Sequence, residues 1–218
     1  MATVSTIRGP VDVDDLGPTL MHEHVFVVNE EYRRNYPEHW DEQQRFDDAV
    51  TKLRALTDAG VRTIVDPTVL GLGRDVERVA RINEQVDLHI VPATGLYTYR
   101  DLPFVFSLTG PGTMLGGEEP MTPLFVKDLT EGIAGTGIKA AFLKCAIEAH
   151  GLTEGSSGCC TRSPTRTRRP ARRSPCTPTP SRSRGWSCSG CSVSVASTSP
   201  RSSSGTAATP PTWTTSSG

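Results

Sequence analysis

The sequence predicts an α/β protein built on a parallel sheet, and two observations carry that prediction. Strand-like and helix-like segments alternate along the first 155 residues. Alternation of this kind joins parallel strands through crossover helices. The composition then breaks sharply at Gly155, so the α/β pattern covers residues 1–155 and a different segment covers 156–218.

The elements follow in order. Residues 18–28 (PTLMHEHVFVV) form an apolar run with two His and read as a buried strand. Residues 41–59 (DEQQRFDDAVTKLRALTDA) read as an amphipathic helix. Its Phe46, Ala49, Val50, Leu53 and Leu56 follow i, i+3, i+4 spacing, and Gly60 closes it. Residues 61–65 (VRTIV) are a β-branched strand, and 74–85 (RDVERVARINEQ) a second helix. Residues 88–93 (LHIVPA) give a third strand, and 102–120 a long loop rich in Gly and Pro. Residues 122–134 read as a third helix and 138–146 (IKAAFLKCA) as a fourth strand. A doubly wound sheet and a (β/α)8 barrel both fit this order. A full barrel needs about 250 residues and eight strands.

The tail is of another kind. All 24 acidic residues, all five His and every Lys, Leu, Ile, Met, Phe and Tyr lie at or before Gly155. The following 63 residues hold 17 Ser, 11 Thr, 9 Arg and 8 Pro, too few apolar side chains to build a core. A disordered low-complexity tail is expected. Net charge is −10 up to Gly155 and +9 beyond it, so the overall −1 is a cancellation that says nothing of partners. No segment approaches the ~20 apolar residues of a membrane span. The N-terminus lacks the basic start and apolar core of a signal peptide. Only Cys145 of the six Cys belongs to the first part. A cytoplasmic, reduced protein with no membrane partner is the expectation.

Several residues could carry chemistry. His22 and His24 form His-x-His, and the two-residue period of a strand places both imidazoles on one face. They suit Zn, Mn, Co or Fe, and equally a hydrogen-bonded pair. Lys144 lies in an apolar run where an ammonium is costly to bury. It can snorkel, pair with an acid, or exist as a carbamate able to bridge two metal ions. Asp66 and Glu148 follow the second and fourth strands, as site residues, supporting groups or caps. Tyr97 and Tyr99 follow the third strand and either line a pocket or pack under the loop.

Four blocks then coincide. GPTLMHEHVFV, TIVDPTVLGLGRD, ATGLYTYRDLPF and GIKAAFLKCA with a later GLT follow the order and spacing of the phosphotriesterase family of the amidohydrolase superfamily. The family includes phosphotriesterase-like lactonases, and the resemblance spans roughly residues 7–155. It implies that 1–155 is the N-terminal half of a (β/α)8 TIM-type barrel with a two-metal centre. By that resemblance His22 and His24 match ligands of the more buried metal. Lys144 matches the carbamylated bridging lysine, and Tyr97 a pocket tyrosine, so Lys144 and Tyr97 stand as the catalytic candidates. Two divalent ions are implied, zinc first, with iron, cobalt or manganese as alternatives. The implied reaction is attack of a metal-bridging hydroxide on a lactone carbonyl or a phosphotriester phosphorus. The implied partner is a small-molecule ester, lactone or organophosphate, with no specific nucleic acid. An intact relative is expected to be a homodimer. Two later His and a late Asp complete such sites, and none of the three occurs in this sequence.

The genetic code accounts for the tail. A frame starting one base earlier turns Thr codons into His, Asn, Asp or Tyr codons, and many Ser codons into Phe, Leu, Ile or Val codons. Residues 174–180 (SPCTPTP) can then decode as VTVHTHA, and 202–216 as VVIGHSGDTTDLDYL. Thr177 and Thr206 would stand at the third and fourth metal-binding His. On this reading the Cys188-Ser-Gly-Cys191 motif and the Arg166–Arg173 cluster are adventitious. Only three of six ligands remain, and half a barrel exposes strand edges. A chain as written is expected to aggregate or stay partly disordered and to lack measurable esterase activity. Two alternatives remain: another amidohydrolase, since His-x-His recurs there, or a non-enzymatic fragment whose basic tail meets nucleic acid.

Overall fold

The structure, a computed structural model, describes residues 2–97, 101–147, Gly151 and Thr153. Strands β1 (Thr3–Thr6) and β2 (Gly9–Asp12) form an antiparallel hairpin. Then follow β3 (Thr19–Leu20), helices α1 (Glu30–Asn35) and α2 (Glu42–Asp58), β4 (Thr63–Asp66) and α3 (Val76–Asn83). The described chain continues through β5 (His89–Leu96), α4 (Phe104–Leu108), α5 (Met121–Thr130) and β6 (Phe142–Cys145).

Strands β3 to β6 make one parallel sheet in the order β3-β4-β5-β6. Each strand sits beside its predecessor and the order never reverses. A doubly wound sheet has such a reversal, so the sequential order selects the barrel direction of winding. Side chains agree. Ile64 and Ile90 point to a core shared with Ala49, Val50 and Leu53 of α2 and Val79 and Ile82 of α3. Their strand neighbours Val65, Val91 and Ala93 join Phe142 in a second cluster that contains no helix residue. Leu96 and Leu143 pack against Met121 and Phe125 of α5. The helices thus line one face, and the other face is the inner wall of the cylinder.

The helical pattern of residues 41–59 is realised closely. Asp41 accepts the Gln44 N–H at 2.9 Å as an N-cap, which starts the helix one residue later. Asp75 does the same for α3 through the Arg78 N–H, so that helix begins at Val76 rather than at 74. Among the described residues no helix is long and apolar enough to cross a membrane.

Four expectations need correction. The strand expected over 18–28 pairs only at Thr19 and Leu20. Beyond it Glu23 still donates to the Val65 carbonyl at 3.0 Å, but the Val25 N–H turns to the Asp66 carboxylate, which breaks the ladder. The strand expected over 138–146 pairs only from Phe142, because the Ala140 N–H is taken by the Asp128 carbonyl of α5. The third strand runs further than expected, to Leu96. The long loop holds α4 and an isolated bridge between Thr109 and Gly116. The β1–β2 hairpin and α1 had no counterpart in the sequence reading.

Gly95 fixes the join between β5 and β6, where it stands opposite Lys144. Its φ is +129°, and a Cβ there would meet the Lys144 carbonyl oxygen at 1.9 Å. Gly95→Ala is expected to destabilise the fold by about 2–4 kcal/mol through strain and backbone collision. Urea denaturation measures it, and a loss under about 1 kcal/mol would show that the strands can part freely.

Candidate functional site

Every candidate side chain in the described residues lies at or just past the C-terminal end of a parallel strand. His22 and His24 follow β3, Asp66 ends β4, Tyr97 follows β5, and Lys144 sits in β6. In a barrel these ends carry the chemistry. Lys144 is two residues beyond Phe142, so it shares that residue's inner face, while Leu143 and Cys145 face α5.

The two imidazoles are neighbours, although an irregular extended segment rather than a strand brings them together. Their ring centroids are 5.2 Å apart in an edge-on arrangement, with planes at 74°. His22 is exposed and His24 half-buried. Burial, then the Lys144 ammonium, holds the His22 pKa below its ordinary 6.5, against the opposing charges of Glu23 and Asp66. Burial, then Lys144 and His22, lowers His24 to about 4. Both rings are therefore neutral at neutral pH, with a nitrogen lone pair available.

Behind His24 lies a polar chain. Its Nδ1 is 2.7 Å from the Thr68 Oγ1 and 3.7 Å from the Asp66 Oδ1. Thr68 donates both its backbone N–H, at 2.9 Å, and its hydroxyl to the same Asp66 oxygen. Asp66 is buried, and desolvation pushes its pKa up against the Thr68 and Val25 hydrogen bonds and the Lys144 charge. The structure thus brings His22, His24, Asp66 and Lys144 into one electrostatic neighbourhood. Tyr97 is half-buried against the inner cluster of Val65, Val91 and Phe142, and its N–H donates to the Leu70 carbonyl at 2.8 Å.

Thr68 escaped the sequence reading. Its one signal is the Asp-x-Thr spacing after a strand, typical of a side-chain turn. Tyr99, Glu148, Thr177, Thr206, the Cys188–Cys191 motif and the Arg166–Arg173 cluster lie outside the described residues. Among the described residues no group of three His, Cys, Asp or Glu stands together as a metal site.

The depressed His24 pKa has a consequence for stability. Above pH 6.5 the ring is neutral whether the chain is folded or not. As pH falls below 6.5, the unfolded chain takes a proton that the folded chain refuses, so stability drops. The loss levels off near pH 4 at about 3 kcal/mol. Asp66, with its raised pKa, acts in the opposite sense. Comparison with His24→Asn isolates the imidazole: urea midpoints of that variant should fall less between pH 6.5 and 4. Parallel curves would contradict the assigned environment.

The comparisons with known proteins agree with this geometry. The model of the phosphotriesterase family matches residues 2–163. Over 156 residues the chain is 54% identical to the phosphotriesterase homology protein of Mycobacterium tuberculosis, covering 71% of this chain and 48% of that protein. It is 38% identical over 147 residues to the aryldialkylphosphatase of Saccharolobus solfataricus, covering 67% and 45%. The solved phosphotriesterase from Mycobacterium tuberculosis matches with a TM-score of 0.70 at 52% identity, over 73% of this chain and 50% of that one. The chain therefore spans about half the length of the curated relatives it matches, and its sheet corresponds to the N-terminal portion of their barrel. The chain belongs to the phosphotriesterase family.

Proposed function

We propose that residues 1–155 are the front part of a metal-dependent hydrolase of ester bonds, phosphotriester or lactone. One observation carries the reading: the rings of His22 and His24 stand 5.2 Å apart at the strand ends, in the electrostatic neighbourhood of Lys144. The aryldialkylphosphatase among the relatives supports the substrate class.

The donor chemistry fits a divalent cation. His22 and His24 would hold it through neutral nitrogens, as metal ligation requires. Among the described residues no group of three His, Cys, Asp or Glu could by itself hold a metal ion. A carbamate on Lys144, formed by its neutral amine and CO2 with loss of a proton, would supply the missing anionic oxygens. It could also bridge to a second ion. Zinc suits imidazole and carboxylate-like donors, as do iron, cobalt and manganese. Such cations polarise a P=O or C=O bond and lower the pKa of water from about 15.7 to near 7. The chain's own groups do the rest. Gly95 lets β5 approach the Lys144 backbone and so sets where that side chain emerges. Tyr97 packs against the inner wall, and its phenol is the candidate donor to the P=O or C=O oxygen of the substrate.

The tail from 156 to 218 is read as a shifted frame, and the family match ending at residue 163 supports a boundary in this neighbourhood. Without the later ligands this chain would bind one cation and turn over no ester. The protein would be cytoplasmic, and a frame-corrected relative a homodimer.

Calorimetric titration with Zn2+ tests the site directly. One binding event is expected, weakened at least tenfold in His22→Ala and in His24→Ala. Titrations unchanged in both variants would remove the metal reading.

A further inference from the structure

We propose that Thr68, backed by Asp66, is a positioning residue that sets the tautomer of His24. It does so by holding the proton on Nδ1, so that Nε2 carries the lone pair presented to a cation. The inference rests on the proposed metal role of His24 and adds to it the groups that orient the ring.

The argument is one of donors and acceptors. Thr68 has a single hydroxyl proton and two lone pairs. Asp66 Oδ1 already accepts the Thr68 backbone N–H at 2.9 Å, and Val25 donates its N–H to the same carboxylate. An Asp66 oxygen that accepts a backbone N–H stands as an acceptor in either charge state of the acid. The close Thr68 hydroxyl contact with Asp66 Oδ1 therefore places the hydroxyl proton between those oxygens. The other hydroxyl acceptor within reach, the Phe26 carbonyl, is at 3.4 Å. With its proton so directed, the Thr68 oxygen meets His24 Nδ1 at 2.7 Å as an acceptor. Nδ1 must then be the protonated nitrogen. The opposite polarity would set a hydroxyl lone pair against a carboxylate oxygen with no proton between them.

Burial makes the arrangement rigid. Asp66 is 5% exposed and Thr68 7%, so water competes little for these bonds. Asp66 ends β4 and Thr68 lies two residues on, so the sheet itself aims the hydroxyl at a ring carried by the segment after β3. A group that fixes ring rotation and tautomer typically changes metal affinity 10–100-fold when removed.

The test uses the full chain with 15N-labelled histidine near neutral pH, read by long-range proton–nitrogen correlation without metal and by Zn2+ titration. Wild type should show His24 as the Nδ1–H tautomer. Thr68→Ser, which keeps the hydroxyl, should retain that tautomer and bind Zn2+ within about threefold of wild type. Thr68→Val should move His24 toward Nε2–H, the commoner form of a free neutral imidazole, and weaken Zn2+ about 10–100-fold. Asp66→Ala is the second variant, useful if the Val change impairs folding. It removes the acceptor, so the Thr68 hydroxyl proton is free to turn to the ring, which should also give Nε2–H.

An Nε2–H tautomer in wild type overturns the proposal. So does an Nδ1–H tautomer that survives both Thr68→Val and Asp66→Ala. If the tautomers shift as expected and no chain binds Zn2+, the positioning stands and the metal reading alone fails.

Discussion

Replacing Arg78 by Met is expected to cost the folded chain about 3–5 kcal/mol, a large part of the 5–15 kcal/mol that holds a typical domain together. Arg78 is 2% exposed on α3. Its Nε donates to Glu42 Oε1 at 2.9 Å, while its two terminal nitrogens lie 3.4 Å from Glu30 and from Asp75. The guanidinium also stands over the rings of Phe26 at 5.3 Å and Trp40 at 5.9 Å. One side chain thus ties the excursion that follows His24, together with α1 and the start of α2, to α3. Burial pushes the Glu42 carboxyl up, yet the Trp40 N–H and then Arg78 and Arg33 outweigh it and hold it below the usual carboxylate range. Met fills the volume and satisfies none of these acids, leaving Glu30 and Glu42 to share Arg33 and removing the Arg78 charge from Asp75. Arg78→Lys should recover less than half of the loss, because an ammonium cannot offer the planar fork or stack on two rings. Urea denaturation followed by circular dichroism reads both variants. A loss below about 1 kcal/mol for Arg78→Met would mean that the excursion is anchored elsewhere.

The elements that were legible in the sequence are those where local pattern and tertiary burial agree. In α2, apolar spacing and the Asp41 cap point to the same helix, and Ala49, Val50 and Leu53 are buried as the spacing requires. The strand around His22 misled because apolar character signals burial rather than pairing. Val25 and Phe26 do pack against the helix-side core, but they reach it without a ladder. The carboxylate that diverts the Val25 N–H is 41 residues away in sequence, and no local pattern reports such a contact. The same holds for Thr68, which matters only because the fold sets it against His24. The Arg74–Asp128 pair is a third case. Its 2.9 Å contact, with the Thr94 hydroxyl donating to the same Asp128 oxygen at 2.6 Å, joins the start of α3 to β5 and α5. Arg74 and Asp128 are 54 residues apart, and no local pattern pairs them. Alternation fixed the ends of β4, β5 and β6 within three residues and so placed the candidates Asp66, Tyr97 and Lys144 near strand ends, whereas the strand before His22 and His24 stops eight residues short of its expected end. The groups that steer them come from neighbouring strands and were not legible.

On the shifted-frame reading proposed above, restoring the frame near the codon for Gly155 is expected to turn a polypeptide without esterase activity into an esterase. The physical reason is ligand count. On the proposed reading, a first cation would draw on His22, His24 and a Lys144 carbamate, while a second could share only the carbamate. One shared ligand does not hold a divalent ion against water. The restored frame would place His at the positions now held by Thr177 and Thr206 and supply a late acid, which completes both sites. It would also replace a Ser, Thr, Pro and Arg segment by aliphatic strands and helices, covering the outer edges of β3 and β6, each paired on one side only among the described residues. Activity toward an aryl phosphotriester and a lactone should rise at least about 10³-fold over the chain as written, a small share of the ~10⁶-fold or more that enzymes supply. Chelation should abolish it, and zinc should return it. The sequence as written, purified with zinc and turning over either substrate at the restored rate, would sink the ligand-count argument. A restored chain that binds two zinc ions and still hydrolyses neither substrate would instead place the chemistry outside ester hydrolysis, while leaving the metal centre in place.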